Sequence, residues 1–213
     1  MGQRKSSTSK APQTVKNAVH EFRKHHEKVD RSLKLVAESA RHLEKACGGD
    51  GKALIAQLVA EVSPRWSAAR LPKHGLIPAV EFAATATLVA VLAAFEELGV
   101  QLAKAGSITL PNGEKQTPGT TKAGVIANAI LAASNPSSQD LAVLVNYFGR
   151  IRNAVAHADK TVTPDTAVAT ASATYSRRHR NGLPPLPTSA GHLTCEQAIL
   201  ASALCLKLGE SLL

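Results

Sequence analysis

The residues best suited to chemistry in this sequence lie in one short stretch of its C-terminal half. Arg152 and Asn153 stand side by side, and His157 follows four residues later. Histidine exchanges a proton near neutral pH, and arginine holds a phosphate through two parallel hydrogen bonds. At 100° per residue, four polar positions share one side of a helix: Asn146, Arg150, Asn153 and His157. These residue types predict acid–base chemistry on a phosphate ester.

The opposite side of the same predicted helix is apolar and anchors it in a core. The apolar stripe consists of Leu141, Leu144, Val145, Phe148, Ile151 and Val155. Arg152 points into this stripe, about 140° from His157 on an ideal helix. A guanidinium there needs a carboxylate, a phosphate or a partner subunit, because burying it unpaired is costly. Arg150 shares a face with His157 and competes with Arg152 for the catalytic role.

The string Arg152-Asn153-Ala-Val-Ala-His157 resembles the signature of HEPN domains, in which an arginine and a polar residue precede a histidine. The similarity is greatest to stand-alone bacterial HEPN proteins with an RNxxAH string. It implies an all-α module that acts as a dimeric, metal-independent endoribonuclease of a toxin or antiphage system, without a cofactor. Arg152 and His157 take the two catalytic positions of the family, and Asn153 takes its polar position. Asp159 stands where adenylylated HEPN toxins carry tyrosine, so this form of control is not expected.

The resemblance suits the chemistry of RNA. The 2′-hydroxyl attacks the adjacent phosphate when a base and an acid are at hand, and a cation stabilises the phosphorane. Two alternatives remain open: a catalytically inactive HEPN-like module that binds RNA or a protein, and an unrelated helical adaptor that dimerises. Because Arg152 and His157 diverge on one helix, we expect a composite site across a two-fold axis, with the small residues Ala154, Ala156 and Ala158 permitting close approach.

Other basic and polar residues are candidate RNA contacts. The predicted set is Asn146, Arg150, Arg177, Arg178 and Arg180. The last three belong to a long basic loop predicted for residues 159–192, which equally suits a solubilising role. Expected partners are therefore RNA, a second copy of the chain, and an antitoxin or regulatory protein.

Composition favours helices and an anionic partner. The 213 residues are 44% hydrophobic but only 3% aromatic, and 36 are alanine, which suits closely packed helices better than a strand sandwich. The formal net charge of +9 favours nucleic acid over a membrane.

Several classes are disfavoured. The chain has no glycine-rich phosphate loop, no H-E-x-x-H and no C-x-x-C, and its three cysteines are widely spaced. No secretory signal is visible, and the longest uncharged stretch, residues 82–95, is too short to span a bilayer. His20, His25 and His26 do not converge on one metal, so no metal site is expected. We expect a cytoplasmic protein without a membrane segment.

The predicted architecture is an all-α bundle of about five to six helices with a long N-terminal helix. Residues 1–13 are predicted to be a disordered basic tail and residues 14–213 a single HEPN-like domain. A seam of apolar residues from Val15 to Cys47 predicts a helix about 50 Å long. The remaining helices are predicted at 50–63, 78–104, 121–134, 138–158 and from Thr194 to the C-terminus. The centre of the third, Ala83 to Phe95, is predicted to be the most buried part.

Overall fold

The computed structural model describes residues 12–46, 77–111, 122–134, 136–156, 161–178, 184–189 and 192–213. Within these ranges the chain forms six α-helices and no strand: α1 (Gln13–Ala46), α2 (Ile77–Lys104), α3 (Ala123–Ala133), α4 (Gln139–Ala156), α5 (Thr166–Arg178) and α6 (Cys195–Glu210). A short 3₁₀ turn, Pro136–Ser138, links α3 to α4. The predicted all-α bundle with a long first helix is confirmed.

The long helix α1 packs within the chain, against α2 and α6. Residues 18–25 of α1 lie beside residues 94–101 of α2, and residues 37–41 lie beside Val80 and Glu81, so the two helices are antiparallel. The predicted seam is buried from Val15 to Leu33. Farther along, Val36 and Leu43 are each 37% exposed, so the seam is covered over its first half only.

The prediction for the most buried element is wrong. Phe82 is 75% exposed and Val89 is 41% exposed, so the first half of α2 presents an apolar face to the outside. The most enclosed helix is α6, in which eleven of the sixteen residues are buried. Helix α2 is the one described helix that is long and apolar enough to cross a membrane, from Val80 to Lys104, and half of its most apolar window is buried in the bundle.

Helix α6 begins at a capping box. The Thr194 hydroxyl accepts from the Gln197 backbone N–H, and the Gln197 side chain accepts from the Thr194 N–H. The Gln197 amide also donates to the Pro185 carbonyl at 2.7 Å. One side chain therefore fixes the start of α6 and holds part of the preceding proline-rich segment.

The predicted loop over residues 159–192 contains a helix, and this prediction is corrected. Helix α5 occupies thirteen of those residues. Asp165 caps it by accepting from the Val168 backbone N–H at 3.0 Å. The helix is built from Ala, Thr and Ser with few large apolar residues, so its sequence carries little 3.6-residue periodicity. Its buried residues, Val168, Ala171 and Tyr175, lie on the side that packs on α4.

Tyr147 of α4 forms hydrogen bonds to both segments that flank α5, the one before it and the one after it. Its side chain is fully buried, and its hydroxyl lies 3.0 Å from the Val162 carbonyl and 2.5 Å from the Pro187 carbonyl. The Val162 N–H donates to the Thr188 carbonyl, which joins the two segments directly. Burial raises the pKa of the Tyr147 phenol, so the hydroxyl remains a donor.

Several predictions concern residues outside the described ranges. They are residues 1–11 of the predicted N-terminal tail, the helix predicted at 50–63, Cys47, His157, Ala158, Asp159 and Arg180; Gln13, the last residue of the predicted tail, already belongs to α1.

Candidate functional site

The polar side of α4 faces a groove that it forms with α3. The two helices approach closely at Gly124, where an added Cβ would lie only 2.4 Å from Asn146 Oδ1. The groove has a volume of about 230 Å³. Its lining residues are Lys122, Ala123, Gly124, Val125, Asn128, Asn146, Gly149, Arg150, Arg152 and Asn153. Glycine at 124 therefore makes room for the Asn146 amide between the helices.

Arg152 lines this groove and also forms an ion pair with a buried carboxylate. Its Nη1 lies 2.5 Å from Oε1 of Glu96 on α2. The Arg152 side chain is 20% exposed and the Glu96 side chain is 2% exposed. The second guanidinium nitrogen lies 3.4 Å from Asn153 Oδ1. The expectation that Arg152 needs a partner is met by a carboxylate of its own chain, and the ion pair holds the guanidinium at the groove.

Arg150 is held differently, by an exposed partner. Its Nη1 lies 3.0 Å from Oδ2 of Asp165, and its guanidinium lies 5.7 Å from the centre of the Tyr147 ring. The pKa of Asp165 is lowered, most by the hydrogen bond from the Val168 backbone N–H and also by Arg150. Both side chains of the pair are about half exposed, so an incoming anion can reach Arg150.

The groove has the composition of an anion site. Three of its lining side chains are cationic and three are amides, while none of the described lining residues is acidic. Amides donate and accept hydrogen bonds, whereas arginine and lysine only donate. A ligand with anionic oxygens and neutral polar groups, such as a nucleotide, complements this set.

The structure brings together four of the eight predicted site residues: Asn146, Arg150, Arg152 and Asn153 line the groove. His157 follows the last described residue of α4, so its position is outside the described ranges. Ala154 is only 6% exposed and packs into its own core. The prediction that Ala154 permits close approach of a second motif helix is therefore wrong, because this side of α4 is already covered.

The structure does not bring Arg177 and Arg178 to the groove. Both lie in the last turn of α5, not in a loop. Arg178 lies 3.9 Å from Asp140 at the start of α4, while Arg177 donates to Thr174. The twelve residues from Asp140 to Arg152 rise about 18 Å along the helix. The predicted pair of arginines therefore lies toward the other end of α4 from the motif.

Sequence analysis missed three residues of the site. Glu96 ends the uncharged stretch of α2, and an acid at such a place is a signal for a buried cation. Lys122 and Asn128 belong to α3, whose sequence shows no motif. Only the approach of α3 to α4 places them at the groove, and this approach depends on tertiary packing.

Outside the groove, the cysteine and histidine side chains described below are packed in the helical bundle. Among the described residues, no three His, Cys, Asp or Glu side chains lie close enough to hold one metal ion. Cys195 and Cys205 are buried, and burial raises the pKa of both thiols, which disfavours the thiolate. His26 is half-buried, and its Nδ1 lies 2.9 Å from the Ser202 hydroxyl of α6.

No protein-family model, curated protein or solved structure matches this chain. The resemblance to HEPN domains therefore rests on the sequence motif alone.

Proposed function

We propose that the chain is a metal-independent endoribonuclease whose active site includes Arg152, Asn153 and His157. The observation that carries the proposal is the guanidinium of Arg152, which a buried carboxylate holds at a cationic, amide-lined groove. The Arg152 side chain is largely buried yet lines the groove, and the other polar residues of the groove are chemically matched to RNA. The all-α bundle and the net charge of +9 agree with the same proposal.

The proposed reaction is transfer of the phosphoryl group to the 2′-oxygen. The 2′-hydroxyl loses its proton to a base and attacks the adjacent phosphorus, and the bond to the 5′-oxygen breaks. The products are a 2′,3′-cyclic phosphate and a 5′-hydroxyl, which takes a proton from an acid. His157 supplies acid–base chemistry, Arg152 stabilises the negative charge of the phosphorane, and Asn153 orients the substrate.

A second copy of the chain is part of this proposal. Two proton-transfer steps use two groups, and a two-fold axis supplies two copies of His157. The approach of two motif helices would use the exposed polar residues of α4, because Ala154 is buried. We propose that the homodimer acts in the cytoplasm as a toxin or defence ribonuclease, restrained by an antitoxin or another regulatory protein.

The alternative is an inactive module that binds RNA or a protein. The Arg152–Glu96 ion pair favours it to the extent that Arg152 already has a structural role, as many buried arginines do. In this alternative the same groove binds RNA or a protein, but the chain does not cleave RNA.

The experiment is cleavage of mixed single-stranded RNA in excess EDTA by the purified wild-type protein. We expect products with 2′,3′-cyclic phosphate ends, and we expect His157→Ala to abolish them while leaving RNA binding in place. His20→Ala is the matched control, because His20 is an exposed histidine of α1. Binding without cleavage in the wild type would support the inactive module, and cleavage that survives in His157→Ala would overturn the proposed site.

A further inference from the structure

The groove extends past Arg152 and Asn153, and one of its sides is formed by α3, which is not part of the motif. Asn153 and Asn146 both line it, and the seven-residue step from one to the other rises about 10 Å along α4. One phosphate does not fill that length. The part of the groove away from Arg152 is bordered by α3, which contributes Lys122 and Asn128.

The relative direction of α3 and α4 fixes the order of these side chains. Gly124 lies against Asn146 and Ala123 lies against Gly149, so the helices are antiparallel. Lys122 therefore lies beside the Arg150 end of the groove, and Asn128 lies farther along, beyond Asn146. A cationic portion is followed by an amide portion in the direction away from Arg152.

Both α3 side chains are available to a ligand. Lys122 and Asn128 are exposed, and Lys122 forms no ion pair within the described part of the chain. Lys122 occupies the N-cap position of α3, and its ammonium group only donates hydrogen bonds, so it suits an acceptor such as an anionic oxygen. Side chains from two helices, and not the helix end alone, form this part of the groove.

The chemistry of the two portions matches one nucleotide. An ammonium group beside Arg150 binds a phosphodiester oxygen. The amides of Asn128 and Asn146 donate and accept, as do a ribose 2′-hydroxyl and the edge of a base. We propose that Lys122 and Asn128 form a subsite for the RNA nucleotide next to the scissile phosphate, with Lys122 on its phosphodiester and Asn128 on its ribose and base. This inference rests on the proposed ribonuclease function and adds two binding residues outside the motif.

The test measures binding of a labelled single-stranded RNA oligonucleotide to the full chain carrying His157→Ala, which prevents cleavage. Lys122→Ala and Asn128→Ala are added singly to this background. Both side chains are exposed, so the variants should fold, which thermal unfolding checks. Lys104→Ala, an exposed lysine at the end of α2, controls for net charge, and Asn17→Ala on α1 controls for loss of an exposed amide.

We expect Lys122→Ala to weaken RNA binding about tenfold, as loss of one charge-assisted hydrogen bond does. The slope of log K against log salt should decrease by about 0.7, the value for one phosphate of a single strand. Asn128→Ala should weaken binding of RNA more than binding of DNA of the same sequence, because DNA lacks the 2′-hydroxyl. The two control variants should change neither quantity.

The outcomes separate this inference from the proposed function. If the wild type cleaves RNA while both α3 variants bind it like the controls, the subsite is overturned and the ribonuclease proposal stands. If the wild type neither binds nor cleaves RNA, both are overturned. Inorganic phosphate serves as a competitor: if its effect depends on Lys122 but RNA affinity does not, the groove is a site for free phosphate and the subsite is wrong.

Discussion

The Arg152–Glu96 ion pair should stabilise the fold as well as position the guanidinium. Replacing Arg152 with Met keeps the aliphatic volume but leaves the Glu96 carboxylate, which is 2% exposed, without its cation. Breaking a buried ion pair by removing one partner costs about 3–5 kcal/mol. Because Arg152 is itself 20% exposed, we expect the lower end, about 3 kcal/mol. For a domain of this size, that corresponds to a decrease in Tm of about 6–12 °C.

The assay is thermal unfolding followed by circular dichroism. Glu96→Leu together with Arg152→Met replaces the whole pair by apolar side chains and should recover most of the lost stability, since apolar replacements of buried pairs are often neutral. The recovered double variant should still fail to cleave RNA, which separates the structural role of Arg152 from its proposed catalytic role. A Tm for Arg152→Met equal to that of Arg31→Met would refute the reasoning.

Two further predictions concern charges that the fold holds elsewhere. Burial is the largest cause that lowers the pKa of His25 and of His26 below the ordinary 6.5. The free energy of unfolding should therefore be constant above about pH 6.5 and decrease as the pH falls through the lowered pKa values. Urea unfolding between pH 7.5 and 5 measures this, and a pH profile that is the same in His25→Gln would contradict it. Asp165→Asn keeps a capping side chain for α5 but removes the charge that competes with RNA for Arg150. We therefore expect this variant to bind RNA more tightly than the wild type, with an unchanged Tm. Equal RNA affinity would mean that Arg150 does not contact RNA.

The parts of the fold that could be predicted from the sequence are those with local signals. The bounds of α2, α3 and the start of α4 lie within two residues of the predicted ones, because apolar periodicity and helix-ending Pro and Gly mark them. The capping box of α6 is likewise local. Helix α5 was missed since its Ala, Thr and Ser residues favour a helix only weakly, and its packing on α4 decides the outcome.

In the candidate site, too, the features with local signals could be predicted from the sequence, whereas the contacts between distant segments could not. A helical projection places Asn146, Arg150 and Asn153 on one side of α4 and predicts that Arg152 needs a partner. It does not identify that partner, because Glu96 is 56 residues away in the sequence. Nor does it identify Lys122, whose place depends on the antiparallel approach of α3. Contacts between helices distant in sequence are set by the complementarity of whole faces, which one sequence does not reveal.

The two arginines that compete for the catalytic role differ in how they are held, and under the proposed function this difference assigns them. Asp165 is exposed, so its exchange for a phosphate costs little, and Arg150 suits a contact that forms when RNA enters. Glu96 is buried and remains beside Arg152, which suits a cation whose direction is fixed before the substrate arrives. Substitution of Arg150 should therefore act mainly on RNA affinity, whereas a folded variant without Arg152 should bind RNA and fail in the chemical step.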